Sequence, residues 1–362
     1  MPQVYAMNGG NGPQSYAQNS SYQRGAVDVA KELIKEEIDK ELDVKQLSST
    51  SVHPFRIADF GCSTGPNTFV AMKVIREALE EKLRKEGLAS EVPEFQVFFN
   101  DHISNDFNTL FASLPPERHY LAAGVPGDFH KVLLPKASLH FAHSSCALHW
   151  LSDVPKEVTD NTSPAWNKGK IHHGGAKKKV LEVYASQFAN DLENYSDINY
   201  LPFSPSLSIE NLVFCGNIFD ILHLPHKKFQ NFYLQIGTLN TKMHLLQGLV
   251  DELKVNMFNL PLYLPSPNEI KTLMKANEHL NVQRMEILSI PGKHVVFSNP
   301  SGIALYLRAA LEGLLEKQFG SDIMDELFEL FTQKLAESSS LFNPENQDMV
   351  VIFVLLKRKL RT

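Results

Sequence analysis

The sequence predicts an α/β fold, a mostly parallel sheet with helices on both faces plus an α-helical cap. Three observations predict it. Short apolar runs alternate with amphipathic stretches between Phe55 and Ser144, an apolar strand at Arg56–Phe60 feeds a glycine turn and a helix, and the remainder is helical until a closing apolar run at Val350–Leu356. Strands that alternate with helices imply right-handed βαβ units.

Taken in order, the first 25 residues are rich in Gly, Asn, Gln, Ser and Tyr and have no period. That composition reads as a disordered tail, although it carries Tyr5, Tyr16 and Tyr22. Val27–Leu42 reads as a helix because Val27, Ala30, Leu33, Ile34 and Ile38 fall on one stripe. Asn67–Lys85 follows the first strand as a helix, with Met72, Ile75, Leu79 and Leu83 recurring at three and four. Phe95–Phe99 is a second strand and Asn105–Ser113 a helix; after a loop with Pro126 and Gly127, Ser138–Ser144 reads as a buried strand. Lys177–Glu193, Asn268–Ala276, Gly302–Gln318 and Ser321–Glu337 are further helices. Those outside the βαβ half are expected to cap the carboxyl edge of the sheet, where ligands of open α/β sheets bind. Asn194 to about Met243 departs from this order: Pro202, Pro205 and Pro225 break any period, and only Ile209–Cys215 is a credible strand.

Composition narrows the partners. With 43% hydrophobic and 21% charged residues the chain is neither disordered as a whole nor collagen or coiled coil. Lys and Arg number 35 against 41 Asp and Glu, a net charge of −6 that gives no global attraction to nucleic acid or an anionic membrane. A small molecule is the expected partner. The longest apolar run near either end, Met349–Leu356, is far below the roughly 20 residues that span a bilayer, and Met1–Gly12 has no basic-then-apolar leader. The expected location is the cytoplasm. Cys62, Cys146 and Cys215 lack the spacing of a disulfide framework or a zinc site.

The sharpest local signal is Ile57-Ala58-Asp59-Phe60-Gly61-Cys62-Ser63-Thr64-Gly65-Pro66-Asn67. The glycines let backbone approach a ligand, and the helix start offers free amide donors. An acid just before the first glycine would repel a pyrophosphate but suits a ligand with an ammonium and a sulfonium. This is the usual first motif of S-adenosylmethionine-dependent methyltransferases; read alone, it is also a plain strand-to-helix turn. A nicotinamide oxidoreductase on the same sheet is disfavoured by that spacing. The second strand ends at Asn100-Asp101, where an acid can hold the vicinal hydroxyls of a ribose, although an Asp there also serves as a turn or cap. His143-Ser144-Ser145-Cys146-Ala147-Leu148-His149-Trp150 places an imidazole and an indole N–H near the active edge, two donors for a carboxylate. Alone it reads equally as a packed Trp beside a solvated His.

In combination these segments resemble a known family. Met7-Asn8-Gly9-Gly10, Ser15-Tyr16-Ala17 with Asn19-Ser20, Gln23, the Asp59–Asn67 motif, Phe99-Asn100-Asp101 with Asn105-Asp106-Phe107-Asn108, Gly124–Gly127, His143–Ser145 and His149–Ser152 occur in the order of the plant SABATH carboxyl methyltransferases (salicylate, benzoate and theobromine methyltransferases). The resemblance is close over residues 7 to about 193 and resumes near 244 with Phe258-Asn259-Leu260-Pro261-Leu262-Tyr263. Ser163-Pro164 with Trp166-Asn167-Lys168, and the C-terminal half, look most like the loganic acid and farnesoic acid branch. It implies a Rossmann-like class I methyltransferase sheet and S-adenosylmethionine as cofactor. Tyr16, Cys62, Asn67, Asp101, His102, Asp128 and Phe129 would surround that cofactor, Asp59 and Gly61 holding its methionine end. Gln23, Cys146, His149 and Trp150 would hold the substrate, a small carboxylic acid, and a homodimer is expected.

Carried onto the chain, the resemblance makes residues 1–25 an N-terminal lid and 26–150 the cofactor-binding core, closed by strands near 209–215, 281–290 and 349–357. Residues 151–200 and 244–345 would be mainly helical cap and core helices, and 194–243 an atypical segment. Relatives usually have Ser in place of Asp128, an apolar residue in place of His102 and often Tyr in place of Cys146. Asn167, Asn256, Phe258 and Asn259 stand where some relatives hold magnesium, with Asn at 256 where Asp is more usual. The expected reaction is methylation of a carboxylate by in-line transfer, with Gln23, His149 and Trp150 orienting and no acid or base. The rival expectation is a relative impaired by the 194–243 segment, where the Gly-Gly turn and apolar strand of the family are missing.

Overall fold

The sheet lies at the centre of a computed structural model that describes residues 6–44, 54–135, 138–196, 209–212, 218–219, 251–290, 299–337 and 349–359. The described N-terminal residues are ordered around helices α1 (Tyr16–Asn19) and α2 (Ser21–Glu41), which corrects the disordered-tail reading for 6–25. Helix α2 starts at Ser21 rather than Val27 because Tyr22, Gln23 and Ala26 are buried against the rest of the protein. Composition alone does not show such tertiary burial.

Strand β1 (Phe55–Phe60) leads into helix α3 (Asn67–Lys85), strand β2 (Phe95–Asp101), helix α4 (Phe107–Ala112) and strand β3 (Leu121–Pro126). Strand β3 stands where a loop was expected. It is an edge strand, which tolerates Gly124 and Pro126, and its half-exposed residues leave no alternation to read. Strand β4 (Phe141–His143), helix α5 (Lys178–Ser196) and the short strands β5 (Ile209–Leu212) and β6 (Ile218–Phe219) follow. After them come helix α6 (Glu252–Asn256), helix α7 (Pro267–Ala276), strand β7 (Leu280–Ser289), helices α8 (Pro300–Phe319) and α9 (Met324–Glu337), and strand β8 (Met349–Arg358).

The strand order is β3-β2-β1-β4-β5-β8-β6, with β7 also paired to β8. Strands β3 to β5 run parallel along this path, and β8 is antiparallel to β5, β6 and β7. Ile209–Leu212 therefore fills the position beside β4 that the sequence left in question. The rest of 194–243, beyond 194–196, 209–212 and 218–219, lies outside the described residues.

The core has two halves, one on each face of the sheet. Ile57 joins Met72, Ile75, Leu79 and Phe331 on one face, and Ala58 joins Tyr184, Phe188 and Ile270 on the other, as alternation along a strand requires. Strand β8 sends Val351, Phe353 and Leu355 into the first and Ile352, Val354 and Leu356 into the second. That double burial is why Val350–Leu356 reads as an unbroken apolar run. No helix among the described residues is long and apolar enough to cross a membrane. The carboxyl ends of the parallel strands, at Phe60, Asp101 and His143, share one edge, and the helix-rich half closes over it.

Candidate active site

The turn after β1 depends on two glycines. Gly61 has φ +83°, and a Cβ there would sit 2.2 Å from the Ala147 Cβ; Gly65, at the same φ, would meet the Phe69 ring at 2.8 Å. The Gly61 and Cys62 amides donate to the Asn100 carbonyl at 2.9 and 3.0 Å, tying the turn to the end of β2. Asp101 then accepts from the Ser63 amide at 2.7 Å through Oδ2 and from the His102 amide at 2.7 Å through Oδ1. Burial pushes its carboxyl up to about 6, further than these two donors pull it down.

Asp59 is deeper, 3% exposed. The Thr68 hydroxyl donates to its Oδ2, and His143 Nδ1 lies 2.7 Å from Oδ1. Both oxygens are thus engaged within the protein. Asp59 lines the inner end of the site, yet its bonds make it the brace between β1, α3 and β4.

A cleft of about 1230 Å³, its mouth included, opens at this edge. Of the residues expected there, Tyr16, Gln23, Gly61, Asp101, His102, Asp128, Phe129, Cys146, His149 and Trp150 line it. Asp59, Cys62 and Asn67 line a smaller inner cavity of about 310 Å³, which shares Tyr16, Gln23 and Gly61 with the cleft. Asn67 is the first residue of α3, and its side-chain amide donates to Ser20 Oγ at 3.0 Å, so it fastens the N-terminal segment.

One wall was not expected from the sequence. Leu260, Leu262 and Leu264 come from the extended stretch before α7, where Trp150 and Leu262 form an antiparallel bridge. Tyr306, Leu307, Ala310 and Leu311 come from one face of α8, and Met7 from the N-terminal segment. The alternation Leu260-x-Leu262-x-Leu264 was the available clue. Tyr306 is the polar member: Gln23 Nε2 donates to its hydroxyl at 3.5 Å, while buried Gln23 Oε1 has no partner among the described residues.

Electrostatics separates two ends. Burial raises the Asp128 carboxyl, but His130 Nδ1 at 2.8 Å and Lys131 Nζ at 3.1 Å outweigh it and hold the group below the usual carboxylate range. At the other end, burial lowers His149 to about 4, so its ring is neutral at physiological pH. Its Nδ1 is buried without a partner among the described residues. Backbone bonds fix this pair: the Trp150 amide donates to the Ala147 carbonyl at 2.9 Å and the Tyr263 amide to the His149 carbonyl at 3.0 Å.

The N-terminal segment is tied across the cleft. The Asn8 amide donates to the Ala309 carbonyl at 2.9 Å and its side chain to Glu312, while the Gly10 amide donates to Asp106 Oδ2 at 2.9 Å.

The expected magnesium set does not suit a hard cation. Asn167 and Asn259 do meet, but Asn167 Nδ2 donates to Asn259 Oδ1 at 2.7 Å and to the carbonyls of Lys170 and His172 at 3.0 and 3.1 Å. These oxygens are thus engaged by an amide donor, and the set offers no carboxylate to a hard cation. Phe258 packs edge-on to Phe319, Asn256 ends α6, and no cluster of metal-ligating His, Cys, Asp or Glu exists among the described residues. Incubation with EDTA should leave turnover unchanged; loss of activity restored by magnesium would contradict this reading.

A mixed sheet with its glycine turn after β1, an acid at the tip of β2 and a cleft at that edge is consistent with an S-adenosylmethionine-dependent methyltransferase, the class that the family match shows. The family profile described as SAM dependent carboxyl methyltransferase matches residues 2–359, and the chain belongs to that family. It is 40% identical over 368 residues to loganic acid O-methyltransferase of Catharanthus roseus, covering 99% of this chain and 95% of that protein. Farnesoic acid carboxyl-O-methyltransferase of Arabidopsis thaliana is 36% identical over 344 residues, covering 93% and 94%. The solved structure of loganic acid methyltransferase with SAH superposes with a TM-score of 0.88 at 40% identity, covering 98% of both chains.

Proposed function

We propose that the protein methylates the carboxylate of a small acid with a largely apolar body, giving its methyl ester. The observation that carries this reading is the lining of the cleft: beside the carboxylates Asp101 and Asp128 it brings together uncharged donors from Gln23, His149 and Trp150 and an apolar wall of Leu260, Leu262, Leu264, Leu307, Ala310 and Leu311. The loganic and farnesoic acid enzymes to which the chain is similar support an acid as acceptor.

S-Adenosylmethionine supplies a methyl group on a positively charged sulfur, and an acid of pKa about 4 is already ionised and needs no base. Asp101 would accept from the ribose hydroxyls, with Asp128 and Phe129 at the adenine and Tyr16, Gly61 and Asn67 toward the methionine end. Gln23, the neutral His149 ring and the Trp150 indole would donate to one carboxylate oxygen and leave the other aimed at the methyl carbon. Transfer of that methyl group to a carboxylate would cancel opposite charges, a change that the apolar wall of Leu260, Leu262 and Leu264 would favour over water. Orientation of this kind contributes several kcal/mol.

A radiolabelled methyl-transfer assay over a panel of carboxylic acids and their amides tests the proposal; transfer to amides with none to acids would defeat it. His149→Ala should lower turnover of the best acid and leave S-adenosylhomocysteine affinity nearly unchanged. With its ring neutral above about pH 4, His149 gives the wild type no ionisation between pH 6 and 8. A rise in rate with a midpoint in that window, absent in His149→Ala, would make it a base instead.

A further inference from the structure

A second cavity, of about 650 Å³ with its mouth included, lies behind the cofactor turn and shares no lining residue with the cleft or its inner extension. It is walled by Phe69, Pro115 and Pro116, and carries Lys73, Arg76, Arg118 and Tyr120 against a single carboxylate, the exposed Glu117. Its polar inventory is thus lopsided toward donors. Arg76 is already paired through its terminal nitrogens with Glu77 and Glu80, yet its Nε is buried with no acceptor. Arg118 reaches only the Pro115 carbonyl, at 3.4 Å; it has no carboxylate partner among the described residues, and its Nε is buried and unpaired. Tyr120 is 7% exposed and its hydroxyl, too, has no partner among the described residues. Burial pushes that hydroxyl up to about 12, although Arg118 and Arg76 both lie near enough to lower it, so it stays an O–H donor.

Arg118 is half-buried with a dry, unpaired Nε, and the buried Tyr120 hydroxyl has no acceptor among the described residues; both carry a desolvation cost that an oxyanion removes better than a neutral acceptor. Rings and prolines around them favour a flat hydrocarbon over a hydrated inorganic ion. We propose that this cavity is a second binding site, for a small planar organic acid whose carboxylate meets Arg118 and Tyr120 and whose body lies against Phe69 and Pro115. Phe69 is the ring that also packs on Gly65, so the occupied site abuts the cofactor turn.

The test uses full-length protein labelled with 3-fluorotyrosine and benzoate as the probe. The fluorine resonance that disappears in Tyr120→Phe should move saturably with benzoate. Arg118→Gln should weaken that response tenfold or more while S-adenosylhomocysteine affinity stays at the wild-type value, which shows that the fold is kept. A Tyr120 resonance that benzoate does not move, or that moves equally in Arg118→Gln, overturns the proposal. The resonances of Tyr16 and Tyr306 report the cleft in the same titration. If they stay still while Tyr120 responds, the cleft does not take benzoate and the second site stands; if they move while Tyr120 stays still, the second site fails and the acid-acceptor reading stands.

Discussion

Asp59→Ala is expected to be among the most damaging single substitutions at the site, because it removes a brace rather than a ligand contact. The Thr68 hydroxyl and His143 Nδ1 would both be left in a place that is almost fully dry, Thr68 and His143 being 4% and 2% exposed. Each orphaned donor costs about 1–3 kcal/mol, so the pair amounts to several. Urea unfolding should show a lowered midpoint at unchanged slope, and saturating S-adenosylhomocysteine should recover part of the loss by mass action. A variant within about 0.5 kcal/mol of the wild type would mean that the network is not structural.

Asp101→Ala should act on affinity instead. Losing hydrogen bonds to a charged acceptor costs about 1–3 kcal/mol, roughly ten- to a hundredfold in S-adenosylhomocysteine dissociation constant. The wild type should also show a pH signature. Its carboxyl in the ligand-free protein is raised to about 6, above the ordinary 3.8, so between those values the free protein holds a proton there. Ribose hydroxyls need the ionised form as acceptor. Binding must therefore expel that proton at low pH, and affinity should fall as pH drops below about 6 and be flat above 7. Calorimetry from pH 5 to 8 measures it, and a flat line across the whole range, in wild type and Asp101→Ala alike, would remove Asp101 from the ribose.

The elements that the sequence exposed are those whose chemistry is local. The β1–α3 turn was legible because Gly61 and Gly65 are required by backbone conformation, and β8 because burial on both faces leaves nothing polar in Val351–Leu356. Asp101, His149 and Trp150 were legible from their place at strand ends. Their surroundings were not. That Asp59 is braced by His143 follows from the parallel pairing of β1 with β4, a contact across 84 residues that no motif encodes. Leu260, Tyr306 and Leu307 look like ordinary core residues in sequence and become cleft walls only when α8 is laid over the sheet. Edge strand β3, with small residues and a proline, lacks the apolar period by which strands are recognised.

The bonds from Asn8 to α8 have a consequence for how the protein is made. Asn8 and Glu312 are 304 residues apart, so on the ribosome the segment around Asn8 emerges long before its seat exists. The turn after β1 can form early from nearby chain, whereas the roof of the cleft is a contact of very high sequence separation and carries the loop-closure entropy that slows such steps. A nascent chain that has not yet reached α8 lacks both the roof of the cleft and strand β8, which joins β5 to β6 and β7. Ligand retention is therefore a property acquired late in synthesis, and newly made protein passes through an interval in which the apolar wall built around Leu262 faces water.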